Sequence, residues 1–118
     1  MFRQEIIERY ENAFGKKFFN TCFKPIKRSI RVNTLKITPG QLAIRLRKQR
    51  FVLKKGFPQN SYVIERERKM LGGTLEYLLG YFYVQELTSL IPPQWLKPEE
   101  KDKVLDMCAA PGGKTTHL

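Results

Sequence analysis

Val104 to Leu118 reads VLDMCAAPGGKTTHL, the stretch of this chain whose residue types and spacing bear most directly on chemistry. Gly113-Lys114-Thr115 matches the closing half of a phosphate-binding loop, G-x-x-x-x-G-K-[ST]. The opening glycine of that pattern falls on Cys108, so the loop lacks the residue that lets backbone wrap phosphates. A dinucleotide site would need G-x-G-x-x-G, and only the pair Gly112-Gly113 is present. Val104-Leu105-Asp106-Met107 reads as a short apolar strand and KTTHL as the start of a helix. A strand, a glycine turn and a helix start bring unpaired amides together, which favours a carboxylate or phosphate over the loop. Gly112 and Gly113 let ligand and backbone approach closely, and Pro111 stiffens the entry. An anionic or zwitterionic ligand suits these features. A plain tight turn is the alternative.

The remaining chemistry-bearing residues are sparse. Cys22 and Cys108 lie far apart, and neither has a partner at metal-ligand spacing. Free thiols point to a reducing compartment, with the cytoplasm as the expectation. His117 stands alone on the presumed helix start and reads as structural or exposed. No metal site is expected, and no catalytic set.

Charge is the strongest bulk signal. The formal net charge is +11, and from Lys24 to Lys55 there are eleven basic residues and no acid. The nearest acids in sequence are Glu11 and Glu65. Such a block repels itself and is stabilised by a polyanion, so nucleic acid is the expected partner. Lys27, Arg28, Arg31, Lys36, Arg45, Arg47 and Lys48 are the candidate RNA-binding residues. No run of eighteen apolar residues exists, and the amino terminus MFRQEIIERY is charged from its third residue, so neither a spanning segment nor a signal peptide is expected.

The elements that must position these residues follow from periodicity. Phe2, Ile6, Ile7, Tyr10, Ala13 and Phe14 recur at helical intervals, which predicts an amphipathic helix stopped near Gly15. RSIRVNTLKI alternates, predicting a half-buried strand with Ile30, Val32 and Thr34 on one face and Ser29, Arg31 and Asn33 on the other. Thr38-Pro39-Gly40 signals a helix start, with Leu42, Ala43 and Leu46 packed inward and Arg45 and Lys48 left outward. FVLKK and YVIE are two short β-rich runs joined by the turn-rich GFPQNS. After Met70 the basic character fades, and Gly72-Gly73 marks an expected junction. Val84, Leu87, Leu90 and Ile91 predict a helix running into Pro92-Pro93.

The terminal stretch resembles the S-adenosylmethionine-binding motif of the RNA cytosine-C5 methyltransferases, the NOL1/NOP2/Sun family. The family string D-x-C-A-A-P-G-G-K-T is matched at Asp106, at Cys108 through Lys114, and at Thr115. RSIRVNTLK and YLLGYFYVQELTSLIPPQWL also look like family segments, nearest to the archaeal tRNA methyltransferase branch. The resemblance implies an α+β amino-terminal RNA-binding region, residues 1–72. The first helix, strand and loop of a Rossmann-like α/β methyltransferase domain would follow over residues 73–118, truncated.

The resemblance further implies that Cys108, Ala109, Ala110, Pro111, Gly112, Gly113 and Lys114 line the methionine end of S-adenosyl-L-methionine, with Cys108 packed beneath the loop. Its catalytic thiols stand on downstream strands in Pro-Cys and Thr-Cys contexts. Thr21-Cys22 lies far upstream and Cys108 belongs to the cofactor motif, so no catalytic residue is assigned. The expected function is the amino-terminal portion of an RNA cytosine-5 methyltransferase acting on RNA, tRNA foremost, inactive without a carboxy-terminal portion as its partner. The alternative is a stand-alone basic RNA-binding module with a vestigial cofactor loop.

Overall fold

The computed structural model describes residues 3–22 and 24–118. Phe2, expected on the first helix, lies outside the described residues. Helix α1, Gln4–Phe14, ends on Gly15 at φ +80°, as the sequence predicts. A second helix that the pattern does not announce, α2 (Lys16–Cys22), follows at once. The Tyr10 and Phe14 rings stack with centroids 6.1 Å apart, and Phe14 and Phe18 lie tilted to each other at 4.8 Å. None of the α1 residues is buried.

A four-stranded sheet carries the remaining structure, in the order β2-β3-β1-β4. Its members are β1 (Ser29–Val32), β2 (Val52–Lys55), β3 (Ser61–Arg66) and β4 (Phe82–Val84). All neighbours run antiparallel. The two β-rich runs expected around the GFPQNS link become β2 and β3, which pair as a hairpin with a register shift between Val52 and Leu53. β4 pairs with β1 through Ile30–Val84 and Val32–Phe82, so the sheet takes its last strand from beyond the compositional junction at 72/73. That junction does not bound the sheet. Val84, expected on a helix face, ends this strand, and the helix α5 begins only at Ile91 and runs to Leu96 with prolines in its first turn. Proline there gives up no needed hydrogen bond.

One face of the sheet packs on helix α3, Pro39–Lys48. Thr38 caps it: its hydroxyl accepts from the Gln41 amide while the Gln41 side chain accepts from the Thr38 amide. Such reciprocal caps are worth about 1 kcal/mol. Leu42 and Leu46 are wholly buried against Ile30, Val32, Ile64 and Phe82. Each such side chain contributes roughly 1.5–3 kcal/mol of apolar burial. This is the core.

The other face overturns an expectation. β1 is buried on both sides, Ser29 and Arg31 included. The pattern correctly separates two faces, but the second is covered by the chain's last segment rather than by solvent. That segment is not regular. No strand forms over Val104–Met107, and 114–118 makes turns rather than a helix. A parallel strand takes its hydrogen bonds from neighbouring strands, and no such neighbour stands beside these residues. Leu105 and Met107 are accordingly exposed. Among the described residues, no helix is long and apolar enough to cross a membrane.

Candidate cofactor loop and nucleic-acid face

Asp106 organises the terminal loop. One carboxylate oxygen accepts from the Cys108 amide at 3.0 Å, and the other from the Thr115 hydroxyl at 2.6 Å. These two donors hold its carboxyl below the usual range, with a smaller contribution from the Lys114 charge. Between the braced ends, the Gly112 amide donates to the Ala109 carbonyl, and Gly112 sits at φ +99°, a backbone that suits glycine. The Thr116 amide and hydroxyl both donate back to the Gly112 carbonyl. Among the described residues, the amides of Ala109, Ala110, Gly113 and Lys114 donate to no protein acceptor. They remain available to a ligand.

The loop lies on the sheet through Gly113. A Cβ there would stand 3.3 Å from Gln85 Nε2 and 3.6 Å from Tyr83 Cε1, so even a methyl group would press on the glutamine. Sequence reasoning assigns this glycine to close ligand approach. The close approach observed is to the sheet. Arg31 fastens the same point: its guanidinium donates to the Gly113 carbonyl at 3.0 Å and to the Thr116 hydroxyl at 2.9 Å, and lies 5.5 Å from the centre of the Tyr83 ring. Burial lowers the Arg31 pKa from its ordinary value. Arg31 therefore leaves the set of RNA-facing candidates. His117 is half-buried nearby, and burial and the Arg31 charge lower its pKa from the ordinary value.

Beneath the loop is a cavity of about 210 Å³. Cys108, Ala109, Ala110, Pro111, Gly113 and Lys114 line it from the loop, and Tyr83, Val84, Gln85 and Ser89 from β4 and the turn after it. Six of the seven expected cofactor residues thus meet at one place, and the seventh, Gly112, shapes the turn. Cys108 is exposed rather than packed under the loop, and its amide donates to Asp106. Gln85 is the residue that sequence reasoning misses. It is 8% exposed, and among the described residues its Oε1 has no donor. Its place in the family segment YFYVQELTS is the one signal that could have found it.

The basic block is partly neutralised in space. Glu65 pairs with Lys27, Glu67 with Arg28 at 3.2 Å, and Glu76 with Arg45 at 3.0 Å. Lys36 donates to the Leu79 carbonyl at 3.0 Å. Arg45, expected to face solvent or phosphate, instead reaches the buried Glu76 on α4 (Leu75–Leu78) and lies near the Tyr81 ring. Arg47 and Lys48, in the last turn of α3, are exposed and make no ion pair among the described residues. Arg50, Lys54 and Lys55 are also exposed. No group of three or more His, Cys, Asp or Glu residues that could hold a metal occurs among the described residues.

The family model described as the N-terminal domain of 16S rRNA methyltransferase RsmF matches residues 2–87, and the model for 16S rRNA methyltransferase RsmB/F matches residues 93–118. Ribosomal RNA small subunit methyltransferase F of Vibrio cholerae is 37% identical over 106 residues, 86% of this chain and 22% of that protein. The tRNA (cytosine(49)-C(5))-methyltransferase of Pyrococcus abyssi is 35% identical over 98% of this chain and 38% of that protein. A methyltransferase homologue from Pyrococcus horikoshii superposes with a TM-score of 0.84 at 36% identity, over 99% of this chain and 40% of the solved one. NSun6 from the same organism, solved with SFG, shares the fold at a TM-score of 0.82 and 22% identity, over 98% of this chain and 54% of its own. This chain thus spans about a fifth of the small subunit methyltransferase F relatives it matches. It belongs, as an amino-terminal portion, to the RsmF-type RNA cytosine-C5 methyltransferases of the NOL1/NOP2/Sun family.

Proposed function

We propose that this chain is the amino-terminal part of an S-adenosylmethionine-dependent RNA cytosine-5 methyltransferase, seating the amino-acid end of the methyl donor beneath the 108–114 loop. The observation that carries the reading is the cavity itself. It brings together the family loop and amides without protein acceptors. That set suits the carboxylate of an amino acid, received by the amides and Lys114. Bound there, the donor supplies an electrophilic methyl group on a sulfonium.

This chain's residues bind and orient. Asp106 braces the loop, Arg31 ties it to the sheet, and Gly112 provides the turn. Cys22 and Cys108 are not assigned as nucleophiles: the first lies on α2 and the second lines the donor cavity. The thiol that would attack the base belongs to the portion that the relatives carry beyond this span, so the 118 residues alone would transfer no methyl group. Residues 104–118 would form the first strand, loop and helix of a Rossmann-like domain once parallel neighbours stand beside them.

The RNA face is the exposed end of α3 and the adjoining strand β2, where Arg47, Lys48, Arg50, Lys54 and Lys55 can meet phosphates. The substrate is a structured RNA. The likeness to the Pyrococcus abyssi enzyme favours tRNA, and the family models favour small-subunit rRNA. Two exposed free thiols suit a reducing compartment, and we place the protein in the cytoplasm.

Equilibrium binding of S-adenosylhomocysteine to the full-length protein, followed by methylation assays on tRNA and on 16S rRNA, tests the reading. Saturable binding with transfer to cytosine C5 supports it. An RNA-binding protein that takes up no donor would be the stand-alone module with a vestigial loop.

A further inference from the structure

Phe57 is an aromatic ring left in water on a turn whose backbone is firmly held. The residue is 73% exposed, and among the described residues its ring stacks on no other. The turn joins β2 to β3. Its Gly56 amide donates to the Ser61 carbonyl at 2.9 Å, and the Ser61 hydroxyl donates to the Pro58 carbonyl. The Asn60 carbonyl accepts from the Val32 amide at 2.8 Å, and the Gln59 carbonyl accepts from Gln94 Nε2 at 3.2 Å. A Cβ on Gly56 would stand 2.5 Å from Ser61 Oγ, so even a methyl group would displace the serine. Contacts from β1, β3 and α5 thus fix the backbone that carries the ring. A side chain presented on so fixed a turn loses little further freedom when something binds to it.

Residues 54–60 read KKGFPQN: two lysines before the ring, two carboxamides after it, and no acid. Lys54 and Lys55 are exposed and make no ion pair among the described residues, and Gln59 and Asn60 are exposed as well. Lys55, Gln59 and Asn60 line a cavity of about 260 Å³ between the turn and Pro39. Pro58, the other apolar residue of the turn, is buried, so the ring joins no exposed apolar patch along its own segment. An apolar protein face would need such a patch to pack on. A nucleobase needs only a ring face, with cations for the phosphates on either side. We infer that Phe57 is the stacking platform for an unpaired base of the RNA. Lys54 and Lys55 take the neighbouring phosphates, and the Gln59 and Asn60 carboxamides offer donors and acceptors to the base edge. This role rests on the chain being an RNA-binding one, and it adds the kind of RNA: a single-stranded segment, since a base stacked inside a duplex presents no free face.

Fluorescence titration of the full-length protein with two probes tests the role: a short single-stranded RNA carrying a fluorescent purine analogue, and the duplex it forms with its complement. Wild type should bind the single strand and quench the analogue by stacking. Phe57→Leu keeps an apolar side chain and removes the ring. It should weaken the single strand roughly five- to a hundredfold and relieve the quenching, while duplex affinity and the thermal midpoint hold. Phe57→Tyr keeps the ring and should keep both affinity and quenching. Single-strand affinity that survives in Phe57→Leu, or that is lost equally in Phe57→Tyr, would overturn the role. Equal weakening of both probes by Phe57→Leu, or a lowered thermal midpoint, would also overturn it, since a ring covered by protein gives that result. Wild type binding both probes, with neither changed in Phe57→Leu, removes the role of Phe57 and leaves the RNA reading in place. Wild type binding neither removes both.

Discussion

The Arg31 guanidinium donates to the Gly113 carbonyl at 3.0 Å, across 82 positions of sequence, and so ties an inner strand of the sheet to the loop that lines the cavity beneath residues 108–114. Replacing it should loosen that loop first. Arg31→Met removes two charge-assisted hydrogen bonds, each worth about 1.5–3 kcal/mol before neighbouring water compensates. Amide hydrogen exchange over 112–118 should accelerate, while exchange in α3 stays near wild type. Donor affinity should fall more than RNA affinity, the reverse of what an RNA-contacting arginine would show.

Glu76 is 3% exposed and accepts from Arg45 Nε at 3.0 Å and from Gln49 Nε2 at 2.7 Å. Burial pushes its pKa up, but the bonds from Gln49, the backbone and Arg45 outweigh it, and the net direction is down. A carboxyl with a depressed folded pKa contributes stability that is complete above the ordinary glutamate range and lost as pH falls through the depressed value. Urea midpoints measured from neutral pH down through the carboxylate range should therefore fall, and Glu76→Gln should flatten that fall. At neutral pH Glu76→Ala should cost about 1–3 kcal/mol, less than a fully buried pair, because water can resolvate the half-exposed Arg45.

RNA binding should be salt-dependent, with the slope set by exposed, unpaired cations. Arg47→Ala with Lys48→Ala should reduce the slope of log K against log salt by about 0.7 to 0.9 for each phosphate that is no longer neutralised. Lys27→Ala with Arg28→Ala should reduce it less, because Glu65 and Glu67 already neutralise those two. Filter binding across a salt series separates the two variants.

Gly112 at φ +99° tolerates no other residue without strain, and Gly112→Ala should cost about 1–3 kcal/mol locally. Gly113→Leu should lift the loop off Gln85 and Tyr83. Both variants should weaken S-adenosylhomocysteine binding more than RNA binding. Equal loss of both would mean unfolding.

What is legible in the sequence is what local residues decide. Thr38, Pro39 and Gly40 announce the start of α3 because the cap is local, and the structure adds Gln41 as its other half. The β2–β3 hairpin is likewise written in its own turn. Arg31 is misjudged from sequence because alternation separates two faces of a strand without saying what covers the second. Here the cover comes from Gly113 and Thr116, far along the chain. The acid-free block misleads in the same way: it is acid-free along the chain, while Glu65, Glu67 and Glu76 fold back onto it. Val104–Met107 has a strand's composition, but pairing is a property of neighbours. Gln85 shows only as one polar residue in a family segment, and its burial and unsatisfied oxygen arise from the third dimension.

The most direct measurement is a crystal structure of the full-length protein with S-adenosylhomocysteine. The expected result is the ligand's amino-acid end beneath residues 108–114, with its carboxylate on the Gly113 or Lys114 amide. Density for the ligand at any other site, with this cavity filled by solvent, would contradict it.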